Sequence, residues 1–320
     1  MNFIRLLVPA TFDNYDEQAY ISANPDIMKA IQSGAFESSA YKHFCKYGNK
    51  ENRKQWLKCN LDELRAEKVK ILEPYLRNDM TLEKEGLKYN YLSEHLINIS
   101  KISETENVSA HEYSSEVLSI LEKYKHGIIL DCGSGRRPVY YSHVVNFEIT
   151  NYDTTDILGI GEELPFKDNT FDAVLSLAVL EHVRDPFKCA KEIIRVLKPG
   201  GELLFSASFM QPYHGYPHHY FNMTPSGARA LFEDSLIIED QTIPIYLHPI
   251  RSVSWILRVW LDGLPTELKE KFKSTSVNEL LAPPAISKDL DIVKKLNVTK
   301  SLEICAGTLV YAKKPPLEPL

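Results

Sequence analysis

The sequence lacks the features that mark membrane, secreted and nucleic-acid-binding proteins. No apolar run approaches the roughly 18–20 residues that a membrane helix needs. The apolar start MNFIRLLVPATF contains an arginine and is followed at once by DNYDEQ, which is not typical of a signal peptide. The net charge of −6 argues against binding to nucleic acid through bulk electrostatics. We therefore expect a cytoplasmic protein with no transmembrane segment and no nucleic-acid partner.

Cysteine is also scarce. The five cysteines, at positions 45, 59, 132, 189 and 305, are odd in number and scattered, with no CxxC pair and no Cys/His cluster. This pattern indicates neither a disulfide framework nor a zinc site. A reducing compartment is the simple interpretation.

The first third of the chain is predicted to be helical and charged. Asn24, Pro25 and Asp26 supply an N-cap, a proline at the first helical position and an acid in the first turn. We interpret residues 1–60 as a small helical module. Residues 61–110 are charged and end in the polar stretch SKISETENVSA, which favours a helical linker region.

From residue 111 to 320, apolar runs alternate with helical patterns. Near-continuous apolar strands separated by helices indicate an α/β domain with a parallel sheet covered on both faces. Between the last two predicted strands, residues 244–302 are too long for a simple connection, so we expect a helical insertion there. The predicted strands are 127–132, 143–149, 171–178, 201–208, 235–243 and 303–313.

Acidic residues and glycines lie where two predicted strands end. In GIILDCGSGRRPVYYSHVVNFEI, Asp131 ends one strand, Gly133 and Gly135 follow, and Glu148 ends the next strand. In doubly wound sheets, ligands bind beyond the carboxyl ends of the strands. Glycines allow a tight turn and close approach of a ligand, and a carboxylate at position 148 can accept hydrogen bonds from two ribose hydroxyls.

A dinucleotide is the first alternative for such a site. Pyrophosphate binding favours a third glycine close to a helix N-terminus, but Arg137 and Pro138 stand there instead. An adenosyl amino acid carries no phosphate and tolerates this difference better. Asp131 also fits the ammonium of its amino-acid end.

Three motifs resemble those of a known family. ILDCGSGRRP, GEELPFKDNTFDAVLSLAVLEHVRDP and EIIRVLKPGGELLFSASF are similar, in order and spacing, to the motifs of class I S-adenosylmethionine-dependent methyltransferases, over residues 111–313. The resemblance implies a Rossmann-like, seven-stranded, mostly parallel sheet with an antiparallel last strand. It also implies S-adenosylmethionine as the cofactor and S-adenosylhomocysteine as the product.

The resemblance also assigns residues to the cofactor. Family members often have an acid where this chain has Ile160, and Glu162 is the candidate to replace it. Ser176 and Leu177, at the end of a strand, are expected near the sulfonium. The full implied cofactor set is Asp131, Gly133 and Gly135 at the methionine part, Glu148 at the ribose, Gly161 and Glu162 at the adenine, and Ser176 and Leu177.

Candidate catalytic residues cluster in QPYHGYPHHYFNMTP, which follows strand 201–208 on the ligand side of the sheet. Histidine is the side chain best suited to accept a proton near neutral pH. We expect His214 to be the general base, with His218 and His219 as alternatives, and Tyr220 to orient or stack on the acceptor. No carboxylate lies among these histidines, so no metal is expected.

The acceptor is predicted from resemblance alone. The PYHGYPHHYFNMTP loop resembles methyltransferases associated with bacterial surface-polysaccharide synthesis, and the N-terminal stretch is similar to a module attached to glycan-synthesis proteins. This implies O-methylation of a sugar hydroxyl, on a nucleotide sugar or a growing glycan, and association with glycan-synthesis proteins through the module. The alternatives are a quinone or lipid methyltransferase, with apolar residues 252–261 near the acceptor, and a non-catalytic cofactor-binding homologue.

Overall fold

The computed structural model describes residues 3–34, 39–85, 88–101, 109–215 and 219–308. Among these residues, the four strands between Ile129 and Leu177 follow one another with no α-helix between them, so the predicted alternation of strands and helices is only partly met. The strands are β1 Phe3–Pro9, β2 Lys54–Asn60, β3 Glu83–Glu85, β4 Lys88–Asn90, β5 Ile129–Cys132, β6 Val144–Glu148, β7 Ile157–Leu158, β8 Phe171–Leu177 and β9 Leu197–Ser206. The helices are α1 Glu17–Ala23, α2 Pro25–Gln32, α3 Ala40–His43, α4 Leu61–Leu72, α5 Glu94–Ser100, α6 Ser115–Lys123, α7 Pro186–Val196, α8 Pro225–Ala230, α9 Pro249–Asp262, α10 Thr266–Ser274, α11 Val277–Leu280, α12 Pro284–Ser287, α13 Asp291–Lys294 and α14 Val298–Glu303. Single turns of 3₁₀-helix lie at Glu73–Tyr75, Leu180–His182 and Ile245–Leu247, and a π-helical turn lies at Phe44–Gly48.

The main sheet has six parallel strands in the order β4-β7-β6-β5-β8-β9, with β3 antiparallel to β4 at one edge. The apolar runs predicted as strands at 127–132, 143–149, 171–178 and 201–208 form β5, β6, β8 and β9. Ile129 of β5 lies opposite Val144 on one side and Ala173 on the other. The strands read as near-continuous apolar runs because both faces of the sheet are covered.

The predicted antiparallel last strand is not confirmed. Residues 235–243 form no strand. Leu236 and Ile238 pack against the core while Ile237 and Ile243 are exposed, so a segment that pairs with no strand produces the alternating apolar pattern that predicted one. Residues 304–308 also form no strand, and 309–313 lie outside the described residues. In the described part of the chain, the antiparallel edge strand is β3, which precedes the parallel strands in sequence.

Helices cover the two faces of the sheet. Neighbouring residues of β5 point to opposite faces, so Ile129 packs with Val117 and Leu121 of α6, while Leu130 belongs to the core that includes Ile193 of α7. Helix α7 begins as the sequence predicts, with Asp185 accepting a hydrogen bond from the Lys188 N–H ahead of a proline at the first helical position.

The N-terminal module contains strands as well as helices. β1 and β2 pair antiparallel along their whole lengths and hold α1, α2 and α3 between them in sequence. A small core of Ala10, Tyr20, Ile27, Ala40 and Phe44 fills the module. The purely helical prediction for residues 1–60 therefore needs correction, because the two ends of this segment pair with each other.

Residues 61–90 are part of the α/β domain, where the charged sequence had suggested a linker. The buried Lys68 of α4 donates to the Val144 carbonyl at 2.6 Å and to Asp156 Oδ2 at 2.7 Å. The Nε of Arg65, which is also buried, lies 3.5 Å from Asp156 Oδ1. The charges of α4 thus attach it to β6 and the segment before β7, and β4 extends the sheet beside β7.

The segment 244–302 carries helices α9 to α14 around a separate small core of Leu264, Leu268, Phe272 and Ile292. The Trp260 Nε1–H of α9 donates to the Ile292 carbonyl at 2.9 Å. Across the described ranges, no helix combines the length and the apolar character that crossing a bilayer requires.

Candidate active site

A cavity of about 1060 Å³ opens at the carboxyl ends of the parallel strands. Its walls include residues that follow β5, β6 and β8, and Ser206 at the end of β9. The sheet order runs from β5 to β6 in one direction and to β8 in the other, so the cavity lies at the point where the strand order reverses. Ligands of open α/β sheets bind at this point.

The two glycines after β5 have conformations that other residues rarely adopt. Gly133 has φ of +81° and Gly135 has φ of +61°. A Cβ at Gly133 would lie 2.5 Å from Val179 Cγ2, and one at Gly135 would lie 2.6 Å from the Ser109 carbonyl oxygen. Glycine is therefore required at both positions for conformation and for space, and the backbone forms a bare edge of the cavity.

Glu148 is held at the end of β6 by backbone N–H groups. Its Oε2 accepts from the Gly135 N–H at 2.7 Å, and its Oε1 accepts from the N–H groups of Ile149 at 2.8 Å and Thr150 at 3.3 Å. Burial raises the pKa of this carboxyl, and the three N–H groups oppose the rise. Glu148 thus lines the cavity in a fixed orientation, with lone pairs left for a ligand hydroxyl.

Asp131 is fully buried and does not itself line the cavity. Its Oδ2 accepts from Arg137 Nε at 2.8 Å and from the Tyr113 hydroxyl at 2.6 Å, and both of those residues do line the cavity. The guanidinium of Arg137 lies 4.3 Å from the centre of the Tyr113 ring. The Oδ1 of Asp131 is buried with no hydrogen-bond partner among the described residues.

The remaining predicted cofactor residues divide into two groups. Gly161, Glu162 and Leu177 line the cavity, with Glu162 buried, whereas Ser176 is fully buried and is not brought to the cavity. Ala178, directly after β8, has φ of +56° and also lines the cavity. A non-glycine residue in this region is strained, a condition that often occurs at ligand sites.

The structure separates the roles of two predicted catalytic histidines. His214 lines the cavity, and its Nδ1 lies 2.8 Å from the Pro212 carbonyl oxygen. A carbonyl only accepts, so Nδ1 carries the proton and Nε2 carries the lone pair. Burial lowers the pKa of His214 below its ordinary value of about 6.5, which favours the neutral ring near pH 7.

His219 uses both ring nitrogens within the protein. Its Nδ1 accepts from the His214 backbone N–H at 3.1 Å, and its Nε2 lies 3.0 Å from Asn222 Oδ1. Burial and the neighbouring His214 and His182 lower its pKa to about 4. His219 does not line the cavity, nor does Tyr220, whose backbone N–H donates to the Glu181 carbonyl; His218 lies outside the described residues.

A carboxylate that the sequence analysis did not count lies beside the histidines. Glu181, in the turn after β8, belongs with His182 and His214 to a group whose ligand atoms all lie within 4.8 Å of one another. The expectation of no metal depended on there being no carboxylate within the histidine loop. The structure instead supplies one from a different segment of the chain.

One face of α9 forms the opposite wall of the cavity. Arg251, Trp255 and Arg258, spaced four and three residues apart on one helical face, all line it. The Trp255 ring lies 5.3 Å from the ring of His214. The apolar character of this segment is evident from the sequence; the two arginines were missed, although their helical spacing was a signal that could have found them.

Comparison with known proteins finds similarity in a segment that lines part of the cavity. Residues 131–205 match the family model described as a methyltransferase domain. The ubiquinone/menaquinone biosynthesis C-methyltransferase UbiE of Pasteurella multocida is 38% identical over 96 residues, 29% of this chain and 36% of that protein. Norajmaline N-methyltransferase of Rauvolfia serpentina is 31% identical over 120 residues, 38% of this chain and 36% of that protein. The chain spans about a third of the length of the curated relatives it matches.

Two solved structures align over about half of the chain. The YcgJ protein of Bacillus subtilis is 19% identical, with 55% of this chain and 88% of that chain covered and a TM-score of 0.33. Phosphoethanolamine N-methyltransferase 2 of Haemonchus contortus, in complex with S-adenosylmethionine, is 16% identical, with 50% and 47% covered and a TM-score of 0.31. At these TM-scores the alignments add no support of their own. The match of residues 131–205 to the methyltransferase-domain model does not depend on them.

Proposed function

We propose that this protein is a methyltransferase that uses S-adenosylmethionine. The observation that carries the proposal is the edge formed by Gly133, Gly135 and Glu148, within the segment that matches a methyltransferase domain. The bare backbone of the two glycines admits a ligand to van der Waals contact, and the fixed carboxylate suits the vicinal hydroxyls of a ribose. Gly161 and Glu162 lie on the adenine side of this arrangement.

Charged groups at the other end of the cavity fit an amino acid. The guanidinium of Arg137 faces the cavity and suits the carboxylate of the methionine part. The unpartnered Oδ1 of Asp131 lies behind the cavity wall, and we propose that it meets the ammonium when the bound cofactor displaces part of that wall. Arg137, which the sequence analysis treated as a departure from a glycine pattern, therefore becomes part of the proposed site.

His214 is the proposed general base. S-adenosylmethionine, when bound, would supply an electrophilic methyl group on its sulfonium and would leave as S-adenosylhomocysteine once the methyl–sulfur bond breaks. His214 Nε2 holds the lone pair that accepts the proton of an acceptor hydroxyl as its oxygen bonds to that methyl group. The second nitrogen, bonded to the Pro212 carbonyl, fixes the ring orientation.

The proposed acceptor is a sugar hydroxyl on a phosphorylated carrier such as a nucleotide sugar. Arg251 and Arg258 present cations to the cavity, and cations of this kind recognise phosphate. The Trp255 ring, between them along α9, offers an apolar face on which a sugar ring can stack. A glycan under extension would place its hydroxyl in the same position.

Calorimetry with S-adenosylmethionine and S-adenosylhomocysteine tests the cofactor half of the proposal. We expect both to bind, and Glu148→Ala to weaken binding while the fold stays intact by circular dichroism. Unchanged affinity in Glu148→Ala would refute the placement of the cofactor, and no binding of either compound to the wild type would favour a non-catalytic homologue.

Methyl transfer to nucleotide sugars, followed with a labelled methyl group, tests the acceptor half. His214→Asn is expected to leave cofactor affinity unchanged and to lower turnover by about 10²–10⁴-fold, the usual scale for a lost general base. Full activity of His214→Asn would refute the assigned role.

A quinone or lipid acceptor is the second candidate. Ile243 and Ile245 precede the segment 246–258, which contributes several cavity-lining residues, and Ile250 lies within it; the three side chains are 70%, 81% and 61% exposed. Exposed apolar side chains beside a cavity mouth suit contact with a lipid or prenyl chain. Activity that depends on detergent or vesicles, and falls in Ile245→Ser, would favour this acceptor over a nucleotide sugar.

A further inference from the structure

We propose that Glu181, His182 and His214 form a binding site for a divalent transition-metal ion of the zinc class. The binding claim depends only on these side chains. The catalytic role given to the ion below rests on the proposed function.

The three side chains converge from two separate segments. Glu181 and His182 lie in the 3₁₀ turn after β8, and His214 lies in the loop after β9. One ligand atom from each lies within 4.8 Å of the other two. Tetrahedral zinc with bonds of about 2.0–2.2 Å places its ligand atoms about 3.4 Å apart, so they must converge by at most about 1.4 Å.

The carboxylate of Glu181 is the independent observation that points to a ligand. The residue is fully buried, and its Oε1 accepts from the Ser208 backbone N–H at 3.2 Å. Its Oε2 is buried and has no hydrogen-bond partner among the described residues. A buried carboxylate oxygen without a partner is costly, and a cation beside it would remove that cost.

The histidine contacts favour metal binding. The Nδ1–H of His214 donates to the Pro212 carbonyl, which fixes the tautomer that leaves Nε2 as a ligand and is the usual outer contact of a metal-bound histidine. The His182 ring lies 5.0 Å from the His214 ring at an interplanar angle of 86°. His219 is close to both but has both nitrogens engaged with protein groups, so we exclude it from the ligand set.

Two imidazoles and one carboxylate are typical ligands of catalytic zinc, which leaves a coordination position open to solvent or substrate. His182 and His214 both line the cavity, so the open position faces the ligand space. An acceptor hydroxyl bound there would release its proton to water more readily, because the ion would stabilise the alkoxide until its oxygen takes the methyl group from the sulfonium. The ion would then replace His214 Nε2 as the group that activates the acceptor.

Titration of the metal-free full-length protein with Co²⁺, followed by visible absorption, tests the site. We expect one equivalent to bind with the intense visible bands of a low-coordinate cobalt centre, and Zn²⁺ to displace it. Glu181→Gln and His182→Asn are expected to lower affinity at least tenfold. His248→Asn is the matched control, because His248 lines the same cavity but caps α9 outside the cluster, and asparagine keeps the cap.

Absence of stoichiometric Co²⁺ binding would overturn the proposal, as would equal binding in Glu181→Gln and the wild type. Glu181→Gln keeps an acceptor for the Ser208 N–H, and circular dichroism checks its fold. S-adenosylmethionine affinity is measured on the same samples. Lost cobalt binding with intact S-adenosylmethionine binding refutes only the metal site, whereas cobalt binding without S-adenosylmethionine binding refutes only the proposed function.

Discussion

Replacing Asp131 with asparagine tests the buried pair beneath the cavity. Asp131 and Arg137 are 0% and 7% exposed, and their charged atoms lie 2.8 Å apart. Asp131→Asn keeps the shape of the side chain but leaves the guanidinium of Arg137 buried without its anion. Removal of one partner of such a pair costs about 3–5 kcal/mol, which lowers the melting temperature by about 6–20 °C for a domain of this size.

The double variant Asp131→Asn/Arg137→Met separates folding from binding. It removes both charges, so we expect it to recover most of the melting temperature lost in either single variant. Affinity for S-adenosylmethionine is not expected to recover, because both ends of its amino acid lose their partners. A charge-assisted hydrogen bond contributes about 1.5–3 kcal/mol, so Asp131→Asn should weaken binding about 10–150-fold.

Scanning calorimetry gives the melting temperatures, and isothermal titration gives the affinities. Additive melting shifts in the double variant would show that the two charges are not coupled and would refute the pair. Unchanged affinity in Asp131→Asn would refute its assignment to the ammonium while leaving its role in holding Arg137 intact.

Three further predictions concern the cofactor edge and the attachment of α4. Burial raises the pKa of Glu148, so S-adenosylmethionine binding is expected to weaken as the pH falls toward the ordinary glutamate pKa of about 4.3, starting at a higher pH than for an unperturbed glutamate. Titration calorimetry should show no such dependence in Glu148→Gln. Gly135→Ala should destabilise the protein more than Gly200→Ala, and of the two only Gly135→Ala should weaken cofactor binding. Both glycines have positive φ, but only at Gly135 would the added Cβ lie within 4 Å of backbone. Equal shifts in melting temperature would contradict this prediction. Asp156→Asn is expected to lower the free energy of unfolding by about 3–5 kcal/mol. The loss should exceed that of Lys68→Met, because Asp156→Asn leaves two buried cations without their carboxylate. A larger loss in Lys68→Met, measured by thermal unfolding, would refute the shared role of Asp156.

The central strands could be predicted from sequence because their signal is local. Each of β5, β6 and β8 is a near-continuous apolar run; Asp131 lies one residue before the end of β5, and β6 ends at Glu148. The helix after Asp185 was predictable for the same reason, since its cap and its apolar stripe lie within one segment. Local patterns of this kind do not depend on the rest of the fold.

The attachment of α4 could not be predicted, because its evidence is distant in sequence. Lys68 and Arg65 pair with Asp156, 88 and 91 residues away, and a charged helix is usually a solvated one. The two strands of the N-terminal module were not predicted for a similar reason, because β1 and β2 lie at opposite ends of the segment and pair with each other. The predicted association of this module with glycan-synthesis proteins stays a prediction.

The candidate site was predicted in part. Residue types and spacing indicated Gly133, Gly135 and Glu148, which the structure brings to one edge of the cavity. The difference between His214 and His219 could not be predicted, because each tautomer is set by hydrogen bonds that depend on the folded conformation of residues 212–215 and 219–222. Glu181 lies within one of the family motifs, but its position beside His214 depends on how the turn after β8 meets the loop after β9.

The acceptor has to be determined separately from the cofactor. The family match ends at residue 205, and the part of the chain shared with curated relatives is about a third of each relative. The residues proposed to contact the acceptor all line the cavity and all follow that segment: His214, Arg251, Trp255 and Arg258. The similarity in 131–205 therefore includes the proposed cofactor contacts Gly133, Gly135 and Glu148, but not the residues proposed to contact the acceptor. Variants of Arg251 and Arg258 that change acceptor preference while keeping S-adenosylmethionine affinity would establish that the two halves of the cavity act independently.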